Sequence, residues 1–231
     1  MSAAERYLQT LEAVQAAAHR ANRDPDSVRL MVVTKTHSPE VIAPVLAAGA
    51  RLLGENYPEQ ALPKMAALAE FGAAWHCIGN VQSRKVGLLP GNFAMLHALE
   101  REKIALRLAR ACADADVTLP VLLECNVSGE ASKAGWQAWD ESAWHTLADV
   151  LAPVMLLPRV PVQGLMTVPP FNQDPRPFFN RLRRLRDFLA ARFPQADLRE
   201  LSMGMSADYA AAIAEGATIV RVGTAIFGSR A

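Results

Sequence analysis

The stretch RELSMGMSADYAAAIAEGATIVRVGTAI, residues 199–226, contains two short apolar bursts, each followed by a turn of small and hydroxylated residues. The first burst, 199–202, runs through Ser202-Met203-Gly204-Met205-Ser206 into an alanine-rich helical segment at 207–215. The second, 218–222, ends in Gly223-Thr224-Ala225-Ile226. Strand, helix and strand in this spacing make a βαβ unit, which joins two parallel strands by a helical crossover.

The same alternation extends upstream. Strand-like bursts stand at 29–35 (RLMVVTK), 51–54, 74–79, 93–98, 120–127 and 161–168. Amphipathic or alanine-rich stretches separate them at 40–48, 58–71, 101–115, 136–151 and 176–193. A first helix covers 3–20, with Leu8, Leu11, Val14 and Ala18 on one face. Eight strand–helix alternations predict an α/β fold, a closed (β/α)8 TIM barrel with an extra N-terminal helix. An open doubly wound sheet would carry a glycine-rich dinucleotide fingerprint after its first strand, and neither G-x-G-x-x-G nor G-x-x-x-x-G-K-[ST] occurs. H-E-x-x-H and G-x-S-x-G are absent as well. No linker or low-complexity stretch divides the chain, so residues 1–231 read as a single domain.

At 231 residues and 51% hydrophobic, the chain is long enough for a well-buried core. Lys plus Arg number 24 against 23 Asp plus Glu, a formal charge of +1 that gives no electrostatic reason to expect nucleic acid or an anionic membrane as partner. Cys77, Cys112 and Cys125 show no C-x-x-C and no metal-like spacing with histidine, which predicts reduced thiols and no metal. With neither a secretory core nor a run long enough to span a bilayer, the expected location is the cytoplasm. The arginines at 181, 183, 184 and 186 alternate with Phe178, Leu182, Leu185 and Leu189 and read as the solvated side of a helix. Trp136, Trp139 and Trp144, at roughly helical spacing, read as packing or a surface patch.

Four features carry chemistry. Lys35 ends an apolar strand, where Met31, Val33 and Lys35 share one face; if that face is the inner one, Lys35 stands at the carboxyl-end mouth, where barrels place their working groups. Alone, it reads better as a surface lysine that merely terminates a strand. The turns around Gly204 and Ser206 and around Gly223 and Thr224 let backbone N–H groups approach a phosphate, and barrels frequently bind phosphate after their last two strands. Arg221 alternates with Val220 and Val222, which turns it inward, toward either a ligand or a structural carboxylate such as Glu200. Asn56, Asn80, His97 and Asn126 fall at or just after strand ends; His97 alone reads as a satisfied structural histidine.

Together these segments resemble the YggS/PROSC family of pyridoxal 5′-phosphate (PLP) homeostasis proteins. The resemblance rests on VVTKTHS around Lys35, GENYPEQALPK from Gly54, WHCIGNVQSRK from Trp75, CNVSGEASKAG from Cys125, GLMTV from Gly164 and the closing segment from Leu201. It implies a barrel similar to the N-terminal domain of alanine racemase, with Lys35 carrying PLP as a Schiff base. Ser202, Gly204, Ser206, Gly223 and Thr224 would surround the phosphate, Arg221 would face the pyridine nitrogen, and Asn56 and Met166 would stand at the pocket wall. His37, Asn80, Arg84 and Ala207 depart from the family pattern.

An arginine at the ring nitrogen disfavours its protonation and weakens the cofactor as an electron sink. The resemblance therefore implies a PLP carrier or buffer with no assigned catalytic residue, touching PLP-dependent apoenzymes transiently and influencing amino-acid and keto-acid balance. A low-activity racemase is the alternative; it would need a second acid/base group opposite Lys35, supplied in alanine racemase by a further domain. A barrel for another phosphorylated metabolite and a regulatory protein with PLP as effector also stay open. The chain is expected to be a monomer.

Overall fold

The computed structural model describes residues 1–228. Helix α1 (Ala3–Arg20) opens on Ser2, whose Oγ accepts from the Glu5 N–H while Glu5 reaches back to the Ser2 N–H, a reciprocal cap. The strands that follow are β1 (Arg29–Val33), β2 (Leu52–Glu55), β3 (Ala74–Cys77), β4 (Met95–Leu99), β5 (Val121–Asn126), β6 (Trp136–Gln137), β7 (Val162–Met166), β8 (Glu200–Ser202) and β9 (Ile219–Val222). All pairings are parallel, and the order β1-β2-β3-β4-β5-β7-β8-β9 closes on itself through β9–β1. The chain is therefore a (β/α)8 barrel, with β6 an accessory pair on the edge of β5. The helices are α2 (Pro39–Ala47), α3 (Pro58–Ala67), α4 (Glu102–Asp114), α5 (Trp144–Met155), α6 (Arg176–Arg192), α7 (Tyr209–Ala214) and α8 (Thr224–Phe227).

The outer ring departs from eight regular helices in two places. After β3 the crossover is a 3-10 helix, Ser83–Leu88, packed between α3 and α4. Among the described residues only the four-residue α8 follows β9, and α1 packs against α2, α7 and α8. The helix expected as an extra thus closes the ring where α8 is too short. Its buried face is Tyr7, Thr10, Val14, Ala17 and Ala18, with Leu8 left exposed, so the expected face is rotated toward Tyr7.

The reading of 136–151 as one helix is corrected. Trp136 lies in β6 and donates its Nε1–H to the Leu99 carbonyl at 2.9 Å. Trp139 is exposed, and only Trp144 begins the helix, buried and bonded to the Ala138 carbonyl at 3.0 Å. The arginines of α6 are bound more closely than a solvated face implies: Arg181 donates to the Val127 carbonyl, and Arg183 and Arg184 pair with Glu215 and Glu141.

Inside the barrel, Met31 stands opposite Arg221 and is fully buried. A Cβ at Gly54 would lie 2.7 Å from the Met31 Sδ, so glycine there makes room for the methionine on the axis. The inner face of β1 is accordingly the Met31 face. Among the described residues no helix is long and apolar enough to cross a membrane, and no group of three or more His, Cys, Asp or Glu is placed to hold a metal ion. All three thiols are free and buried, and burial pushes that of Cys77 up to about 12.

Candidate functional site

A cavity of about 420 Å³ opens at the carboxyl ends of the strands. Val33, Lys35, His37, Asn56, Ile78, Val168, Met205, Ser206, Ala207, Arg221, Gly223, Thr224 and Gly228 line it.

Lys35 reaches this cavity by a turn, since β1 stops at Val33. The His37 N–H donates to the Thr34 carbonyl at 3.1 Å, and Thr36 sits at φ +70°. A β-branched residue in the left-handed region is disfavoured, so surrounding contacts must impose the turn. They lie behind the barrel wall. Lys64 Nζ donates to the Thr34 carbonyl at 3.0 Å and to Glu55 Oε1 at 2.7 Å, and the Thr34 hydroxyl donates to the same oxygen at 2.7 Å. Glu55 is fully buried, so the ion pair sits in low dielectric and clamps the residue preceding Lys35. On the cavity side, His37 stacks on Phe227 with ring centroids 4.2 Å apart.

Opposite, the two small-residue turns are tied together. Ser206 Oγ accepts from the Ala225 N–H at 3.3 Å, which leaves the hydroxyl its own proton to donate. Met205 N–H donates to Asp208 Oδ1 at 2.6 Å, and Arg221 N–H to the Gly204 carbonyl at 2.9 Å. Gly204 adopts φ +93°, and a Cβ on it would lie 2.6 Å from that of Ala212. Only glycine lets α7 press against this turn.

Arg221 forms the cavity floor. Its Nη1 donates to the Ser202 carbonyl at 2.6 Å and to Ser202 Oγ at 2.7 Å, and its Nη2 to the Thr167 carbonyl at 2.9 Å. Two of its five N–H donors, on Nε and Nη2, are unspent among the described residues. Burial pushes its pKa down to about 10, against Asp208 and Glu124, which favour the cation. It remains charged at neutral pH. Glu200, considered above as its structural partner, instead pairs with Arg29 at 2.6 Å.

Lys35, Asn56, Ser206, Arg221, Gly223 and Thr224 therefore surround one cavity. Ser202, Gly204 and Met166 do not line it. Ser202 faces the barrel interior beneath Arg221, Gly204 backs the turn, and Met166 is buried in β7 opposite Ser202. Asn80 is not part of this lining and donates to Glu100 and Glu124; burial, then Glu100, raises the Glu124 pKa. Asn126 organises its own loop by accepting from Ser128 and Gly129 N–H groups. Arg84 bonds to Gln82, and Ala207 is an exposed part of the cavity rim.

Neither the Glu55–Lys64 clamp nor the place of His76, which bonds to His97 inside the barrel, is legible in the sequence. The nine-residue step from Glu55 to Lys64 crosses from strand to helix, and the two histidines lie on neighbouring strands 21 residues apart. Neither pair has a short-range signature. An acidic residue ending an apolar strand was the one available clue.

A lysine just past the first strand and an arginine on the last, facing two turns of small and hydroxylated residues across one cavity, define a class of cofactor-binding barrel. The alanine racemase N-terminal domain family matches residues 9–231. The pyridoxal phosphate homeostasis protein of Aquifex aeolicus is 40% identical over 233 residues, covering 100% of this chain and 99% of that protein. PipY of Synechococcus elongatus PCC7942, solved with PLP bound, superposes with a TM-score of 0.82 at 32% identity, covering 98% of this chain and 100% of that one. Alanine racemase from Corynebacterium glutamicum shares the fold alone, with a TM-score of 0.65 at 18% identity over 95% of this chain and 62% of that one. The chain belongs to the alanine racemase N-terminal domain family and, within it, to the pyridoxal phosphate homeostasis proteins.

Proposed function

We propose that this chain binds PLP in the barrel-mouth cavity as a Schiff base on Lys35 and acts as a carrier or buffer for the cofactor. The observation that carries the reading is the convergence of Lys35, Arg221 and the two turns of small and hydroxylated residues on one cavity of about 420 Å³. The residues present fit the group. The Asn56 Oδ1 is buried without a hydrogen-bond partner, an acceptor waiting for a donor, and the unspent Arg221 donors match a ring nitrogen. Ser206 and Thr224 add hydroxyls beside Gly223, where a phosphate can approach backbone. The PLP-bound PipY relative supports the same reading.

When bound, PLP supplies an aldehyde that exchanges reversibly between amines. Lys35 holds it through its amine. Arg221 holds the ring nitrogen unprotonated by donating to it, which disfavours carbanion chemistry and favours storage. On this reading the protein works in the cytoplasm as a monomer, meets PLP-dependent apoenzymes transiently, and bears on amino-acid and keto-acid balance.

An apoenzyme-loading assay tests the role. PLP-loaded protein activates a PLP-dependent apoenzyme, and Lys35→Ala lowers that delivery at least tenfold. Equal delivery by the variant would remove the Schiff base from the account. Lys35-dependent deuterium incorporation at Cα of alanine in heavy water would favour a racemase instead.

A further inference from the structure

Beneath the cavity four polar side chains form one hydrogen-bonded line through the barrel. Arg221 Nη1 donates to Ser202 Oγ at 2.7 Å, Ser202 Oγ lies 2.9 Å from His97 Nδ1, and His97 Nε2 lies 2.8 Å from His76 Nδ1. Ser202 and His97 are fully buried, and His76 and Arg221 are each 5% exposed. An apolar barrel centre would be the simpler way to fill this volume, so the polar line calls for a reason.

Counting protons fixes its direction. Ser202 Oγ has one proton and two neighbours in the line, and a guanidinium cannot accept. The hydroxyl proton therefore goes to His97 Nδ1. A neutral His97 then carries its proton on Nε2 and donates it to His76 Nδ1, which leaves His76 protonated on Nε2. Every bond of the line then has one donor and one acceptor. In the reverse one, Ser202 accepts twice and its own proton has no acceptor in the line, inside a buried site where an unmade hydrogen bond is costly.

We propose that His97 is a positioning residue for the cofactor site: by taking the Ser202 proton it turns a serine lone pair to Arg221 Nη1 and so fixes which guanidinium N–H groups face the ring nitrogen of PLP. This rests on the PLP reading given above. The Ser202 and Thr167 carbonyls hold two of the Arg221 donors. The Ser202 hydroxyl takes the second Nη1 proton, leaving Nε–H and one Nη2–H for the cavity. With the serine rotamer released, the guanidinium can turn in its plane and the ring nitrogen loses a fixed donor. His76 completes the line by holding His97 in the required tautomer.

Two measurements test this. In the wild-type protein, ¹⁵N NMR of the imidazoles reads the tautomers directly: His97 is expected neutral with its proton on Nε2, and a proton on Nδ1 would overturn the proposal. In protein loaded with ring-¹⁵N PLP, the wild-type ring nitrogen is expected at the unprotonated-pyridine position. In Ser202→Ala and His97→Leu it moves toward the pyridinium position as pH falls through the neutral range, while borohydride still traps a full equivalent on Lys35. His97→Gln, whose amide oxygen can take the serine proton, restores the wild-type signal. Full trapping with an unmoved ring-nitrogen signal in both variants would sink the positioning role and leave the PLP reading standing. Absence of trapping in the wild type would overturn the PLP reading and this inference with it.

Discussion

At the scale of single residues, the histidine pair in the barrel centre gives the clearest acid signature. Burial, then the charge of Arg29, pushes the His76 pKa down to about 4 from the 6.5 of an unfolded chain, and His97 is held well below its usual range by burial and by His76 and Arg221. A histidine held neutral in the fold binds fewer protons than its unfolded counterpart. Its contribution is therefore complete above pH 6.5 and is lost as pH falls from there to about 4. For His76 that amounts to about 3 kcal/mol. Urea midpoints measured at successive pH values should fall steeply over this window in the wild type and less steeply in His76→Gln. Identical slopes would mean that His76 is protonated in the fold. At this scale Arg221 was legible because strand alternation assigns it a face, Lys35 was legible as the polar end of an apolar run although a turn brings it to the cavity, and Ser202 was legible as a position but not as a direction. Ser202 ends β8 facing inward beneath Arg221, a difference of one residue's orientation between the barrel interior and the cavity.

Among elements, the turn after β1 is shaped by what lies behind it. Glu55 on β2 and Lys64 on α3 meet at 2.7 Å, both largely buried, and hold Thr34 by its carbonyl and its hydroxyl. Lys64→Met would leave the Glu55 carboxylate buried without its cation, a loss of about 3–5 kcal/mol. Adding Glu55→Leu should recover most of that stability, because the pair is replaced by apolar packing. PLP affinity should nevertheless stay below wild type in the double variant, since the clamp on Thr34 no longer helps to impose φ +70° on Thr36. Chemical denaturation and a PLP binding titration on the same three proteins check both statements; a double variant with wild-type PLP affinity would show that the clamp serves stability alone.

The same scale explains what the sequence could and could not show of the fold. The barrel strands were readable because both faces of a parallel strand are covered, which leaves short continuous apolar runs. Helix faces were less so. In α1 the residues Leu8 and Tyr7 compete for the core, and the barrel selects Tyr7. In 136–151 the tryptophans mimic a helical period, yet Trp136 pairs with β5 through a strand only two residues long. The crossover at Ser83–Leu88 follows the 3-10 geometry that short connectors favour, and its apolar positions are too few to announce a helix.

For the whole molecule, closure of the ring is shared between the two ends of the described chain. Helix α1 takes the outer position beside α2 and α7, and Arg6 bonds to the carbonyl of Ile226 in α8. The residues just before α8 line the cavity, so the N-terminal helix supports the cofactor site from outside. The opposite end of the barrel is bound by Arg29, Glu200 and Thr218 and carries no part of that cavity. This division, with stability at one end and chemistry at the other, is general for such barrels. It places the central claim on a single amine. Borohydride reduction of PLP-loaded protein, read first by intact mass and then by peptide mass spectrometry, tests it most directly. The account predicts one pyridoxyl-phosphate adduct per chain, confined to Lys35. A loaded protein with Lys35 unmodified, or with adducts scattered over surface lysines, would contradict it.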